Sequence, residues 1–313
     1  MTNDNAPTKI CQKQSKTKGY LAIMIAGTLW GMTGVFSNIM STDLGGNSST
    51  AAFYRMLGAV IMLALYIAIR DPKKFQIGRT ELKLAAFQGL TTGCLFSLAY
   101  IYAIQYVGLS TAAILLYTSP VYVIILSRIL FGEEIRRNKI IALIVNLMGC
   151  ALTVTGGSFA WKSLSLVGIL LGLAAGLCYS MMPICGHFAA ERIEPETITF
   201  YSLVFALGFL LLLVRPWQYK ELSLNGGLAL WSVLAGLMTT ALPFTLYTYG
   251  MSVIPEPSKG PVLASLENVS ASIFGVMLFG EFMNAWKVCG IMFVFCSIVI
   301  INRKGQSDET NAS

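Results

Sequence analysis

The sequence predicts an all-α integral membrane protein, with ten transmembrane helices arranged as two inverted five-helix repeats. Three observations carry this. Of the 313 residues, 55% are hydrophobic and only 12% charged, with a mean hydropathy of +0.68; that is too little charge to coat a soluble domain of this length. Ten apolar runs are each long enough to cross a hydrocarbon core of about 30 Å, which takes roughly 20 helical residues. Finally, the chain echoes itself: Phe53-Tyr54-Arg55 returns as Phe200-Tyr201-Ser202, Leu130-Phe131-Gly132-Glu133 as Leu278-Phe279-Gly280-Glu281, and Gly27-Thr28-Leu29-Trp30 is matched by Gly176-Leu177-Cys178-Tyr179.

Charge, proline and glycine set the boundaries of each span. In the first half, 19–40 follows the basic segment ending at Lys18, 49–70 stops at Arg70-Asp71-Pro72, and 83–107 stops at Gly108. Next, 109–131 stops at Gly132-Glu133-Glu134, and 138–157 starts after Arg136-Arg137. In the second half, 166–188 stops before Glu191-Arg192, 196–214 lies between Pro195 and Arg215, and 226–250 stops short of Pro255-Glu256-Pro257. The last two runs, 258–280 and 284–302, stop at Gly280-Glu281 and Arg303-Lys304. The junctions at Val107-Gly108 and Pro255-Glu256-Pro257 are the weakest, and nine or eleven spans are the alternatives they allow. Residues 1–18 and 303–313 read as polar cytoplasmic tails, 19–157 and 158–302 as the two repeats. The first run has about 22 residues and no cleavage signature, so it reads as an uncleaved helix.

With the amino terminus in the cytoplasm, seventeen of the 22 Lys and Arg residues fall on the cytoplasmic side. Four (Lys162, Arg215, Lys220, Lys287) fall on the other, and Arg55 lies within a span. This is the bias of the positive-inside rule; it selects ten spans with both termini cytoplasmic in the inner (cell) membrane. It also accounts for the net charge of +7 without a nucleic-acid partner. Six of the seven cysteines fall within spans and form no Cys-x-x-Cys pair, so they read as small buried hydrophobes.

Because each half has an odd number of spans, the second half enters the membrane with the opposite orientation. Two similar halves of opposite topology can exchange conformations, so that a central cavity opens to one face and then the other. The pattern therefore points to a carrier.

The runs Ala26-Gly27-Thr28-Leu29-Trp30-Gly31, Tyr117-Thr118-Ser119-Pro120, Phe131-Gly132-Glu133-Glu134, Leu266-Glu267 and Phe279-Gly280-Glu281, set on ten spans in two halves, resemble the drug/metabolite transporter superfamily, in particular its EamA branch. The resemblance covers roughly residues 19–302. It implies secondary transport of small metabolites, commonly the export of amino acids or related compounds, through a cavity between the halves near the bilayer midplane. The chain departs from the pattern at Asn268, where the second half usually carries the proline that the first half keeps as Pro120. That departure puts the bend of the ninth span in question.

Charges at mid-span are costly and are retained for a reason. Glu267, near mid-depth in the ninth span, reads as a proton-coupling carboxyl or an anchor for a substrate amine; the bland reading is a protonated side chain bonded to a neighbouring helix. Arg55 could anchor a substrate carboxylate, for which a guanidinium fork is well shaped, or snorkel to the outer interface. Trp30, Tyr100, Tyr117, Tyr179 and Tyr247 complete the substrate-binding set. Together with Phe244 they fall where the resemblance places the cavity lining, and a Tyr hydroxyl at mid-membrane needs a polar partner. Interhelical packing is the alternative for any one of them. The Gly-Glu pairs closing spans four and nine read as helix-end devices, with glycine as the C-cap.

The expected function is a secondary active exporter or exchanger of amino acids or related compounds, working by alternating access and proton-coupled through Glu267. A passive channel or facilitator and a drug efflux carrier are the alternatives. An enzyme is not expected, because one His and no His/Asp cluster make no reactive constellation. No Walker-type phosphate loop is present to use ATP directly. No cofactor or metal site is expected, since the lone His187 has no co-ligands at suitable spacing. The expected partners are a small-molecule substrate and the lipid bilayer; a homodimer is left open.

Overall fold

The computed structural model describes residues 9–40, 48–158, 165–190, 192–214 and 226–303. The tail readings at 1–8 and 304–313, and the side assignments of Lys162, Arg215 and Lys220, lie outside the described residues. Within them there is no strand, and ten helices are long and apolar enough to cross a membrane. In order these spans are Lys16–Asn38, Phe53–Arg70, Arg79–Val107, Leu109–Phe131, Arg137–Thr155, Leu166–Ala189, Pro195–Leu212, Gly226–Val253, Lys259–Phe279 and Ala285–Asn302. The first helix begins at Lys9, inside the stretch read as a polar tail. The third starts at Arg79, earlier than the apolar run, because the first helical turn can hold its long cationic side chains at the interface. The even number of spans puts Lys9 and Arg303 on one face, here the terminal face; the other is the distal face.

The halves interleave rather than sit side by side, and their packing obeys the repeat. The first span packs on the eighth and ninth, and its counterpart, the sixth, on the third and fourth. The second packs on the eighth, and its counterpart, the seventh, on the third; the fifth and tenth pack on each other. Glycine permits the closest crossings. A Cβ on Gly27 would lie 2.6 Å from the Ala264 carbonyl oxygen, and one on Gly236 2.5 Å from the Arg55 carbonyl oxygen; either would force backbones apart.

Two departures from regular helix recur in both halves. The third and eighth spans contain short π-helical turns, Gly89–Leu95 and Leu237–Ala241. The fourth and ninth spans are discontinuous: Leu109–Leu116 gives way to Ser119–Phe131, and Lys259–Ala264 to Leu266–Phe279. Pro120 explains the first break, since it cannot donate to the ladder. The ninth span breaks without a proline at 268: the Asn268 N–H bonds the Ser265 carbonyl at 3.0 Å, three residues back, in place of the usual fourth. The question raised by Asn268 is thus answered by the local hydrogen bonding, and the bend is kept.

Gly132 and Gly280 close these spans in left-handed conformation (φ 68° and 64°), as their C-cap reading expects. The following Glu133 and Glu281 N–H groups reach back to the Ser127 and Gly275 carbonyls at 3.2 and 3.1 Å.

Candidate functional site

A cavity of about 360 Å³ lies at the centre, walled by every span except the fifth and tenth. Those two pack on each other outside it. Its apolar surface is a pair of repeat-related aromatic contacts. Trp30 meets Phe244 with ring centroids 5.4 Å apart, and Tyr179, the counterpart of Trp30, meets Phe96, the counterpart of Phe244, at 5.4 Å. Tyr100 stacks on Phe96 at 5.8 Å. Tyr117, at the break of the fourth span, donates its hydroxyl to Asn268 Oδ1 at 2.5 Å, while Asn268 Nδ2 faces Cys150 Sγ at 3.3 Å. This bond joins the two broken helices across the repeat boundary and satisfies a mid-membrane hydroxyl.

The cavity also holds the two mid-span charges. Arg55 extends Nη1 to Thr240 Oγ1 at 3.1 Å, on the π-turn of the eighth span. Glu267 follows the Ser265 break and is half-buried. Its carboxyl has no hydrogen-bond or ion-pair partner among the described residues, and it forms no ion pair with Arg55. Both side chains line the same space. Gln88, Thr92, Thr199, Ser202 and Thr239 supply the rest of the polar wall.

A second cavity, of about 420 Å³, leads from Glu267 toward the distal face between the first and ninth spans. It shares Trp30, Thr33, Tyr117 and Glu267 with the central one and ends at Phe279 and Glu281. On the terminal face, by contrast, charges tie the halves together. Lys139 Nζ lies 2.6 Å from Glu133 Oε1 and 2.9 Å from Glu256 Oε2, and Lys259 lies 3.5 Å from Glu256. Ser258 donates its N–H to Glu133 Oε2 at 3.3 Å and its hydroxyl to Glu133 Oε1. Glu133 and Lys139 belong to the first half, Glu256, Ser258 and Lys259 to the second. Burial opposes ionisation of Glu256, but hydrogen bonds and charge from Lys139 and Lys259 outweigh it and hold the carboxyl below its ordinary range.

Residues 17–155 and 166–303 each match the EamA-like transporter family. The chain belongs to that family. It is similar to an uncharacterized transporter of Archaeoglobus fulgidus, 32% identical over 286 residues that cover 91% of this chain and 97% of that protein. It is also similar to the uncharacterized inner membrane transporter YicL of Salmonella typhimurium, at 25% identity over 92% and 96% of the two chains. A further relative is the threonine/homoserine exporter RhtA of Salmonella typhimurium, at 24% identity over 82% and 80%. A solved crystal structure matches with a TM-score of 0.73 at 14% identity over 91% of this chain and 96% of that one, a likeness of fold. This EamA-like protein is therefore a multi-pass membrane transporter and not an enzyme.

In the EamA-like frame, the structure brings Trp30, Arg55, Tyr100, Tyr117, Tyr179 and Glu267 into one cavity wall. It places Tyr247 behind that wall, buried against Trp30 at a centroid distance of 5.3 Å. Among the described residues no three His, Cys, Asp or Glu side chains gather to hold a metal ion. His187 packs edge-on against Phe131 at 4.7 Å and sets Nδ1 3.2 Å from the Met251 carbonyl oxygen. Sequence reasoning missed Phe96, Gln88, Thr92 and Thr240. Transfer of Phe244 to its repeat counterpart would have found Phe96; Gln88, Thr92 and Thr240 carried no such signal.

Proposed function

We propose that this EamA-like transporter is a secondary carrier that exports a small amino acid, or a close relative, in exchange for protons. The observation that carries the reading is that Arg55 and Glu267 face one cavity, one from each half, without pairing to each other. Opposite charges held apart in low dielectric are costly. A zwitterion relieves both: its carboxylate suits the guanidinium fork and its ammonium the Glu267 carboxylate. The aromatic walls then receive the carbon skeleton. The name of the RhtA relative supports an amino-acid cargo.

Glu267 can hold either the ammonium of the solute or a proton, and this exclusion at one carboxyl is enough to couple the two fluxes. The second cavity supports alternating access, because it links Glu267 to the distal face while the ion-pair network ties the terminal face. With the terminal face in the cytoplasm, as the positive-inside bias favours, the conformation is outward-facing and the membrane is the cell membrane.

The test is mass spectrometry of what leaves proteoliposomes loaded with a mixed metabolite extract, with and without a pH gradient, against protein-free vesicles. Selective loss of an amino acid, faster with the gradient, is the expected result. Selective loss of a non-zwitterionic solute would overturn the reading, as would no selective loss from folded protein.

A further inference from the structure

Two helix crossings flank the cavity and are related by the repeat: the second span on the eighth, and the seventh on the third. Each carries a π-turn with adjacent threonines, Thr239-Thr240 in one and Thr91-Thr92 in the other, of which Thr239, Thr240 and Thr92 line the cavity. At the first crossing Arg55 is bonded to Thr240. Its counterpart at the second is Ser202, facing the turn that carries Thr92, with Gln88 one helical turn before. The chemistry there is neutral and incomplete. Gln88 and Ser202 are 1% and 6% exposed, and both line the cavity. Among the described residues, Gln88 Oε1 and Ser202 Oγ have no hydrogen-bond partner. Buried polar atoms are paired as a rule, and each exception needs a reason.

We infer that this niche is a second solute subsite, which receives the far end of an amino acid whose side chain finishes in an uncharged hydrogen-bonding group, a hydroxyl or a carboxamide. The inference rests on the amino-acid reading above and narrows it. Gln88 Oε1 only accepts, so it is satisfied by a donor. An apolar end would leave both atoms unpaired, and a charged end would be buried without a counterion. Both atoms are covered in this conformation, and on this inference solute entry turns them to the cavity about their own side-chain torsions.

Arg55 and the niche line the same cavity and are related by the repeat. Arg55 lies seven residues from the distal start of its helix at Ser48, and Ser202 seven residues from the terminal start of its helix at Pro195. At 1.5 Å per residue, each backbone position lies about 10 Å along its helix from opposite ends.

The experiment is counterflow in proteoliposomes containing the full chain, with competing isosteres: threonine against valine, which differ by a hydroxyl for a methyl, and alanine as a solute with no far end. Threonine should compete at least about tenfold better than valine. The paired substitution Ser202→Ala and Gln88→Met should bring the two within about twofold, a ratio that does not depend on how much variant folds. Alanine exchanged by wild type with threonine and valine equal would overturn the subsite alone. Counterflow of no amino acid by folded protein would overturn both the subsite and the reading beneath it.

Discussion

Lys139→Met should loosen the terminal face. The Lys139 and Glu133 side chains are only 4% and 7% exposed, and among the described residues Lys139 alone pairs with both Glu133 and Glu256. Its ammonium also bonds the Glu134 carbonyl at 2.9 Å. Methionine keeps the aliphatic stem but strands Glu133, whose remaining bonds come from the neutral Ser258. Removing one partner from a buried ion pair costs about 3–5 kcal/mol. The lower end, about 3 kcal/mol, is expected, because Glu256 is 30% exposed and keeps Lys259. Adding Glu133→Gln removes the stranded charge and should restore part of the loss, so the double variant should be more stable than the single one. Unfolding in detergent of wild type, both single variants and the double variant measures this. The network bridges the halves only on this face, so about 3 kcal/mol taken from the closed arrangement shifts the balance toward terminal-face opening by about 10²-fold. The rate at which a membrane-impermeant thiol reagent reaches a cysteine introduced in the cavity wall by Ser97→Cys, with the native cysteines replaced, reports the shift from that face. A Lys139→Met protein within about 0.5 kcal/mol of wild type, with no gain in labelling, would refute the idea that these charges hold the halves together.

Three further outcomes are expected. Glu256 is held below its ordinary value of 4.5, so its contribution to stability is complete above about pH 4.5 and is lost as pH falls through the lowered folded-state value; melting temperature against pH should fall less steeply in acid for Glu256→Gln than for wild type. Glu267→Gln can neither take up a proton nor present a charge, so accumulation driven by a pH gradient should disappear and the half-saturating concentration for exchange should rise by about tenfold or more; retained gradient-driven uptake would move the coupling elsewhere. Alanine at Trp30, Tyr117 or Tyr179 should raise the half-saturating concentration more than it lowers the amount of folded protein, and unchanged transport in all three would move the solute site out of this cavity.

Much of the architecture was legible because it rests on one-dimensional signals. Hydropathy gave the ten spans, and the offset of about 147 residues between Phe53 and Phe200 gave the inverted repeat. The Gly132 and Gly280 caps needed only local geometry. What the sequence could not show was how the halves interleave, which depends on close approaches such as Gly236 to Arg55 and Gly27 to Ala264. Tyr247 and Tyr179 look alike as mid-span tyrosines, yet one backs Trp30 and the other faces the cavity, since the rotation of each helix is set by its packing. The π-turns were invisible for a similar reason. Gly89-Leu90-Thr91-Thr92 has no composition that distinguishes it from ordinary helix; the extra residue is accommodated by the seventh span, where Gly89 meets the Ser202 carbonyl. Asn268 was misleading as a missing proline, because hydrogen bonding alone keeps the break.

The scaffold is symmetric in its backbone and asymmetric in its cavity chemistry. Helix crossings, π-turns, helix breaks and the Trp30–Phe244 and Tyr179–Phe96 contacts all occur twice, the symmetry that the alternating-access reading proposed above requires. The chemistry departs from that symmetry at three places: Arg55 against Ser202, Glu267 against Ser119, and the terminal ion-pair network against its distal counterpart. The last difference can be weighed. Lys287 and Glu281 repeat Lys139 and Glu133, and pair at 3.0 Å, but within their own half and with side chains 20% and 51% exposed. An exposed pair of that kind contributes about 1 kcal/mol or less, whereas the terminal network is buried and bridges both halves. A symmetric framework with unequal locks rests with the terminal face closed. On the proton-exchange reading proposed above, solute and proton binding at the two other asymmetric positions, both inside the cavity, supplies the difference for that face to open.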